Sequence, residues 1–335
     1  MRIIRFILLV IISIAAISTL LYSYYGYSTA PPRTLLTGEL NEGTITIEGR
    51  ERSYTAYIPT KLAKDSALVF MLHSSLQTVN GVRESTAYQF EQLAEHHKFI
   101  VVYPSGYKKN WNDCRAEAKY PARAENINDI KFITSLISEF HQRYGSDTAK
   151  TFIAGYSNGG HLGFRFAMEH PNAIAGIAAI SASLPTADNL ACEDTGKAVP
   201  VLIMNGTEDP INPYYGGRAS LFGVGNRGQV LSSISSAQHF ARKAGYHDAP
   251  SETKHFQSNR PDDPTATEYY AWRDGEHPEV ILYTIVGGGH TIPQEHFRPP
   301  RILGATSKEI DGPAEIWAFF ARQIRRVDTA REYPE

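Results

Sequence analysis

Short apolar runs alternate with amphipathic stretches along most of the chain. The apolar runs predict strands, and they cover residues 67–72, 99–103, 151–154, 176–181, 199–204 and 280–286. The stretches between and after them have helical periodicity, and they cover residues 87–96, 126–144, 160–169, 232–245 and 313–325. Nearly continuous apolar strands are typical of a sheet that is buried on both faces. The sequence therefore predicts an α/β fold with a mostly parallel central sheet and helices on both faces.

A different pattern precedes the first apolar strand. Residues 43–48 and 52–58 alternate between apolar and polar side chains on either side of Gly49-Arg50-Glu51, which predicts a β-hairpin. We expect a linker with two prolines over residues 29–42, a folded domain over 43–326 and a C-terminal tail over 327–335.

The N-terminus carries a long uncharged apolar segment. Arg2 and Arg5 precede it, and residues 3–25 are long enough to cross about 30 Å of hydrocarbon as a helix. This arrangement predicts that the N-terminus lies inside and the rest of the chain outside the cytoplasm. Residues 1–28 are interpreted as a membrane anchor or as a signal peptide that is cleaved after Gly26 or Ala30. A third interpretation is a buried helix of the folded domain.

Composition narrows the classes of partner. The 335 residues include 33 Lys and Arg against 35 Asp and Glu, a net charge of −2 that argues against a nucleic-acid binder. The two cysteines exclude a zinc site of four cysteines and a small disulfide-framework fold. We expect no metal, no organic cofactor and no obligate protein partner.

One short motif points to nucleophilic catalysis. Gly155-Tyr156-Ser157-Asn158-Gly159 is a G-x-S-x-G sequence that follows a predicted strand and opens a predicted helix. A serine on such a sharp turn is lifted above the sheet edge, and glycines two residues away leave room for it. The sequence therefore predicts that Ser157 is a nucleophile.

A nucleophilic serine needs a base, and the base needs an acidic residue to orient it. Asp209 follows the predicted strand 199–204, and His290 follows the last strand after three glycines. We predict that His290 is the general base and that Asp209 orients it, in the chain order Ser, Asp, His. The alternatives for these two roles are few, and they are Glu208, Asp188 and Asp194 for the acid and His296 for the base.

Two backbone N–H groups should stabilise the oxyanion. One is expected from Asn158, directly after the nucleophile, and the other from the loop after the strand 67–72. Ser75 is the first candidate in that loop and Leu76 the second.

Several segments, in order, resemble the poly(3-hydroxybutyrate) depolymerase and feruloyl esterase family of secreted α/β-hydrolases. The resemblance extends from about residue 43 to 322, and its most similar segments are LVFMLHSSLQT (68–78), FIVVYPSGYKKNWNDC (99–114), IAGYSNGG (153–160), PVLIMNGTEDPINPYYGG (200–217), GGGHTIP (287–293) and IWAFF (316–320). It implies an α/β-hydrolase fold and the same Ser157, Asp209 and His290 triad. Two positions depart from the family. Ser74 stands where a glycine is usual, which predicts backbone strain if φ is positive there, and Ile292 replaces a tryptophan.

Three aromatic residues near the predicted site are candidates for substrate binding, namely Trp111, Tyr214 and Tyr215, with packing as the alternative for each. Cys114 and Cys192 fall near active-site loops, and in an oxidising compartment they can form a disulfide, the alternative being two free buried thiols.

The combined prediction is an exported or membrane-anchored serine esterase, similar to polyhydroxybutyrate depolymerases, that acts on an ester, polymeric esters included. Three alternatives stay open: a feruloyl or acetylxylan esterase, a serine peptidase, and an inactive hydrolase used as a binding module.

Overall fold

The computed structural model describes residues 2–257 and 260–332. The strands of this described part are β1 (Glu39–Ile47), β2 (Arg50–Ile58), β3 (Leu68–Leu72), β4 (Ile100–Pro104), β5 (Thr151–Tyr156), β6 (Gly176–Ile180), β7 (Val201–Gly206), β8 (Gly217–Leu221), β9 (Val224–Val230), β10 (Glu252–Gln257), β11 (Ala266–Trp272) and β12 (Val280–Val286).

Most strands belong to one mixed sheet with the order β1-β2-β4-β3-β5-β6-β7-β12-β11-β10. The central run from β4 to β12 is parallel, while β1 and β2 at one edge and β11 and β10 at the other are antiparallel to their neighbours. The strands β8 and β9 form a separate hairpin, and Val230 of β9 also forms an isolated antiparallel bridge with Pro185. The predicted α/β fold is confirmed, and the carboxyl ends of the parallel strands share one edge, where ligands of such sheets bind.

Helices cover both faces of the sheet. The α-helices of the described part are α1 (Arg2–Leu21), which lies away from the sheet, and α2 (Val79–Ser85), α3 (Gln89–His97), α4 (Pro121–Ala124), α5 (Asp129–Tyr144), α6 (Asn158–Glu169), α7 (Ser233–Lys243) and α8 (Gly312–Glu332). Strand β3 shows how the sheet faces divide. Leu68, Phe70 and Leu72 pack with α5, α6 and α7, while Val69 and Met71 pack with α3 and α8. Because side chains alternate along a strand, a fully apolar strand serves both layers.

Two predicted boundaries are wrong. The first strand begins at Glu39, inside the predicted linker 29–42, because it pairs in register with β2 as far as Ile58. The predicted tail 327–335 is helical up to Glu332, where α8 continues past residue 326. Residues 333–335 of that tail lie outside the described residues.

The N-terminal helix α1 stands apart from the sheet. Its side chains are exposed, and it continues into a π-helical turn over Tyr22–Gly26. Residues Arg2–Gly26 are long and apolar enough to cross a membrane. The interpretation of this segment as a buried helix of the folded domain is therefore wrong.

Candidate active site

Ser157 lies on the sharp turn between β5 and α6. Its φ of 54° is in the left-handed region, which is strained for a residue with a side chain. A Cβ atom on Gly155 would lie 2.3 Å from the carbonyl of Gly159, and one on Gly159 would lie 2.5 Å from the carbonyl oxygen of Leu72. Both positions therefore require glycine, and the turn holds Ser157 at the start of α6.

Asp209 and His290 meet at the carboxyl ends of β7 and β12. Asp209 Oδ2 lies 2.7 Å from His290 Nδ1. Because an ionised carboxylate only accepts hydrogen bonds, Nδ1 carries the proton and Nε2 is free to accept one. The other oxygen, Asp209 Oδ1, accepts hydrogen bonds from the backbone N–H groups of Ile211 and Asn212 at 2.7 and 2.8 Å. These bonds fix the carboxylate toward the imidazole.

The backbone of His290 is equally constrained. Its N–H donates to the carbonyl of Leu303 at 2.7 Å, and its own carbonyl accepts a hydrogen bond from the Tyr156 hydroxyl at 2.6 Å. A Cβ atom on Gly289 would lie 2.1 Å from the Leu303 carbonyl oxygen, so the glycine before His290 allows this close approach.

The alternative acids and base lie elsewhere. Glu208 and Asp188 are exposed, and Asp194 binds Lys243 and His239. His296 is exposed and lies 4.0 Å from the carboxylate of Glu295. The structure pairs none of these residues with His290 or Ser157.

Ser157 and His290 both line a cavity of about 330 Å³. Among the described residues, Ser157 Oγ forms no hydrogen bond with the imidazole, so the structure joins only the histidine and aspartate of the predicted triad. Hydrogen bonds of catalytic groups are often long before substrate binds. Ile292, at the position where the resembling family usually has tryptophan, is part of the cavity wall.

The loop after β3 distinguishes the two candidates for the second oxyanion donor. The N–H of Leu76 donates to the carbonyl of Lys109 at 2.8 Å and is therefore occupied. Within the described part of the chain, the N–H of Ser75 has no acceptor, and Ser75 lines the cavity. The positive φ of this loop is at Leu76, with a value of 63°, and not at Ser74. The strain expected at Ser74 is therefore absent.

A buried histidine that sequence reasoning left without a role shapes this loop. His73 Nε2 accepts a hydrogen bond from the N–H of Gly106 at 2.9 Å, and Nδ1 lies 2.8 Å from the carbonyl oxygen of Ser74. Burial lowers the pKa of His73 to about 4. The ring is therefore neutral at pH 7, and it ties the loop after β3 to the loop after β4.

The three aromatic residues predicted to bind substrate do not line the cavity. Trp111 is fully buried, and its indole N–H donates to the carbonyl of His73 at 2.9 Å. The hydroxyl of Tyr214 lies 2.6 Å from Thr284 Oγ1 in the interior. Tyr215 is 78% exposed. For Trp111 and Tyr214 the prediction is wrong, because packing and internal hydrogen bonds already use these side chains.

Beneath the helix α6 lies a buried polar network that the sequence did not indicate. Asp113 Oδ2 accepts hydrogen bonds from Arg115 Nη2 at 2.6 Å, from Asn158 Nδ2 at 2.7 Å and from the Tyr120 hydroxyl. Burial alone would raise the pKa of Asp113, but Arg115 outweighs it and holds that pKa well below its usual range. The network fixes the side chain of Asn158. Asn158 is the first residue of α6, where a backbone N–H has no acceptor within the helix.

The two cysteines are joined. A disulfide links Cys114, in the loop after β4, to Cys192, in the loop after β6. The same two loops also share a hydrogen bond of 2.8 Å from the N–H of Ala191 to the carbonyl of Cys114.

Several known proteins are similar to this chain. A family model described as Phospholipase/Carboxylesterase matches residues 104–222, about a third of the chain. An esterase of Nocardia uniformis subsp. tsuyamanensis, NocK, is 24% identical over 275 residues, which make up 79% of this chain and 78% of that one. Acetylxylan esterase A of Aspergillus oryzae is 30% identical over 121 residues, 36% of this chain and 38% of that one. The chain therefore spans well under half of the latter relative.

A solved structure extends the similarity to the fold. The acetyl xylan esterase from Aspergillus awamori superposes with a TM-score of 0.53 at 18% identity, over 76% of this chain and 96% of that one. The chain is a carboxylic ester hydrolase with the α/β-hydrolase fold.

Proposed function

We propose that the chain is a serine esterase whose nucleophile is Ser157. His290 activates this serine as the general base, and Asp209 orients His290. The observation that carries this proposal is the hydrogen bond between Asp209 Oδ2 and His290 Nδ1, beside a cavity that Ser157 also lines. This bond leaves Nε2 as the nitrogen that can take the serine proton.

The reaction follows from the positions of these groups. Ser157 Oγ attacks the ester carbonyl carbon as its proton passes to His290 Nε2, and the charged imidazole is stabilised by Asp209. The N–H groups of Asn158 and Ser75 donate to the oxyanion, each contributing about 3 kcal/mol to lowering the barrier. His290 then protonates the departing alkoxide. A water molecule, deprotonated by His290, hydrolyses the acyl-enzyme.

Two substrate classes are proposed. The resemblance to polyhydroxybutyrate depolymerases favours 3-hydroxybutyrate oligoesters, and the similarity to acetylxylan esterases favours acetylated xylan. A cavity of about 330 Å³ is at the small end for ligand pockets, which favours a short acyl group in both cases.

An ester panel tests the proposed activity. We expect hydrolysis of short nitrophenyl esters and of one of the two substrate classes, with kcat/KM falling as the acyl chain outgrows the cavity. Hydroxycinnamate esters and a peptide anilide complete the panel. Turnover of the anilide without turnover of any ester would contradict the proposal.

We also propose that the chain stays anchored in a membrane with its folded domain outside the cytoplasm. The residues after α1 contact a segment that lies next to residues of the cavity wall: the N–H of Thr29 donates to the Arg298 carbonyl at 3.0 Å, and Thr29 Oγ1 accepts from the Arg298 N–H at 2.9 Å. Arg301 Nη1 donates to the Tyr24 carbonyl at 3.2 Å. Cleavage after Gly26 or Ala30 would remove one or both of these attachments.

The anchor proposal makes a direct prediction for the full chain expressed in a bacterial host. The protein should sediment with membranes and stay there after alkaline carbonate extraction, because an apolar helix of this length partitions into hydrocarbon. Amino-terminal sequencing identifies the first residue of the mature protein. A mature protein that begins at residue 27 or 31 would contradict the proposal.

A further inference from the structure

The wall of the cavity contains an arginine without a counter-ion. Arg227, on β9, lines the cavity together with Ser157 and His290, and its side chain is half-buried. Among the described residues, its guanidinium forms no hydrogen bond and no ion pair. Removing a charged group from water without a partner costs free energy, so a guanidinium in this position favours an anionic ligand.

The nearest charges do not neutralise this guanidinium. Both oxygens of Asp113 are occupied, Oδ1 by Arg115 and Oδ2 by Arg115, Tyr120 and Asn158. Arg115 and Asp113 cancel as a pair, which leaves the charge of Arg227 in excess. Burial lowers the pKa of Arg227, and the positive charge of Arg115 lowers it further. An arginine nevertheless stays protonated at neutral pH.

The backbone that carries Arg227 is held in place. Asn189 Nδ2 donates to the carbonyls of Arg227 and Gln229 at 3.2 and 3.0 Å. A Cβ atom on Gly228 would lie 2.1 Å from Asn189 Nδ2, so the hairpin fits closely around this amide. The carbonyl of Asn189 in turn accepts from the N–H of Ala116 at 2.7 Å. The disulfide between Cys114 and Cys192 joins the same two segments, and the backbone that carries Arg227 is therefore fixed relative to the loops after β4 and β6.

Of the described residues, one other in the cavity wall has a fully charged side chain, and it is Glu84. It belongs to α2 and joins the wall with Gly81 and Ser85, whereas Arg227 joins it with Leu221 of the β8–β9 hairpin. No ion pair connects Glu84 with Arg227 in the part of the chain that the structure describes. The two charges therefore mark different parts of the cavity, and an anionic group is favoured at the hairpin.

We propose that Arg227 binds a carboxylate of the substrate, and that the enzyme prefers esters that carry a free carboxylate near the scissile bond. The planar guanidinium can hold both carboxylate oxygens at once, which orients the substrate as well as attracting it. This inference rests on the proposed serine esterase function. It favours short hydroxy-acid oligoesters with a free acid end over neutral acetylated sugars.

The test compares two substrates that differ only in charge. They are the dimer of 3-hydroxybutyrate as the free acid and the same dimer with its terminal carboxyl group as the primary amide, which is neutral and adds no second ester bond. Each is measured as a substrate and as a competitive inhibitor of 4-nitrophenyl acetate hydrolysis. The inhibition assay detects a dimer that binds without being cleaved. We expect the wild-type enzyme to prefer the free acid. Arg227→Met should lower kcat/KM for the free acid about 10- to 100-fold, or its affinity as a competitor by the same factor, and should leave the neutral dimer unaffected. Arg227→Lys should retain part of the preference.

The matched control is Arg218→Met, because Arg218 is on the same hairpin but is exposed and outside the cavity wall. This substitution should leave kcat/KM and the affinity as competitor unchanged for both dimers. Equal effects of Arg227→Met on both dimers, no preference of the wild type for the free acid, or no binding of either dimer would overturn the inference. The serine esterase proposal would survive each of these results, since it fails only if 4-nitrophenyl acetate hydrolysis does not depend on Ser157.

Discussion

Replacing Ser157 with alanine should lower kcat for a short nitrophenyl ester by about 10⁴-fold or more. The variant lacks the only atom proposed to form the acyl-enzyme, while the oxyanion donors and the cavity stay in place. Alanine keeps the Cβ atom, and the strained φ of 54° at this position persists with either residue. Initial rates at saturating substrate, together with a thermal melting curve, measure the effect.

A control serine separates loss of chemistry from loss of fold. Ser138 is exposed on α5, where its hydroxyl donates to the Thr134 carbonyl at 3.2 Å, so Ser138→Ala should keep wild-type rates. A folded Ser157→Ala variant with more than about a tenth of wild-type activity would be incompatible with a covalent mechanism at this serine.

Replacing Asp209 with asparagine should lower kcat by about 10⁴-fold. The amide of asparagine must still accept the N–H groups of Ile211 and Asn212 through its oxygen, so its NH₂ would face His290. His290 Nδ1 would then have to accept, and the proton would move to Nε2. In that tautomer the imidazole cannot take a proton from Ser157.

The adjacent residue provides the control for this substitution. Glu208 is exposed and follows the same strand, so Glu208→Gln removes one negative charge at almost the same place without changing the tautomer of His290. We expect kcat to stay within about twofold of wild type. If the two variants lost activity equally, general electrostatics and not orientation of the imidazole would explain the effect.

The parts of the fold that are visible in the sequence are those fixed by local patterns. The parallel strands are continuous apolar runs, because both of their faces are buried, and the turn at Ser157 needs glycine at fixed positions. For the same reason, the sequence alone places the residues after β7 and β12 at one edge of the sheet. The pairing of Asp209 with His290 follows from that shared edge.

Features that depend on distant contacts were missed. The hairpin β8–β9 has no alternating apolar pattern, because most of its residues are at least partly exposed and the amide of Asn189 bonds to its backbone. The edge strand β10 is exposed and polar, and β11 pairs with it. The position of Trp111 next to active-site loops in the sequence predicts a substrate contact, and only its burial and its hydrogen bond to the His73 carbonyl show that it is internal.

Labelling with a fluorophosphonate probe is the decisive measurement for the proposed mechanism, because the probe reacts only with a serine activated by a working base. The intact protein should gain the mass of one probe molecule, and peptide mapping should find it on Ser157. The same probe should not label Ser157→Ala, and it should label Asp209→Asn much more slowly. A folded wild-type protein that stays unlabelled, or that carries the probe on another serine, would contradict the assignment of Ser157 as the nucleophile.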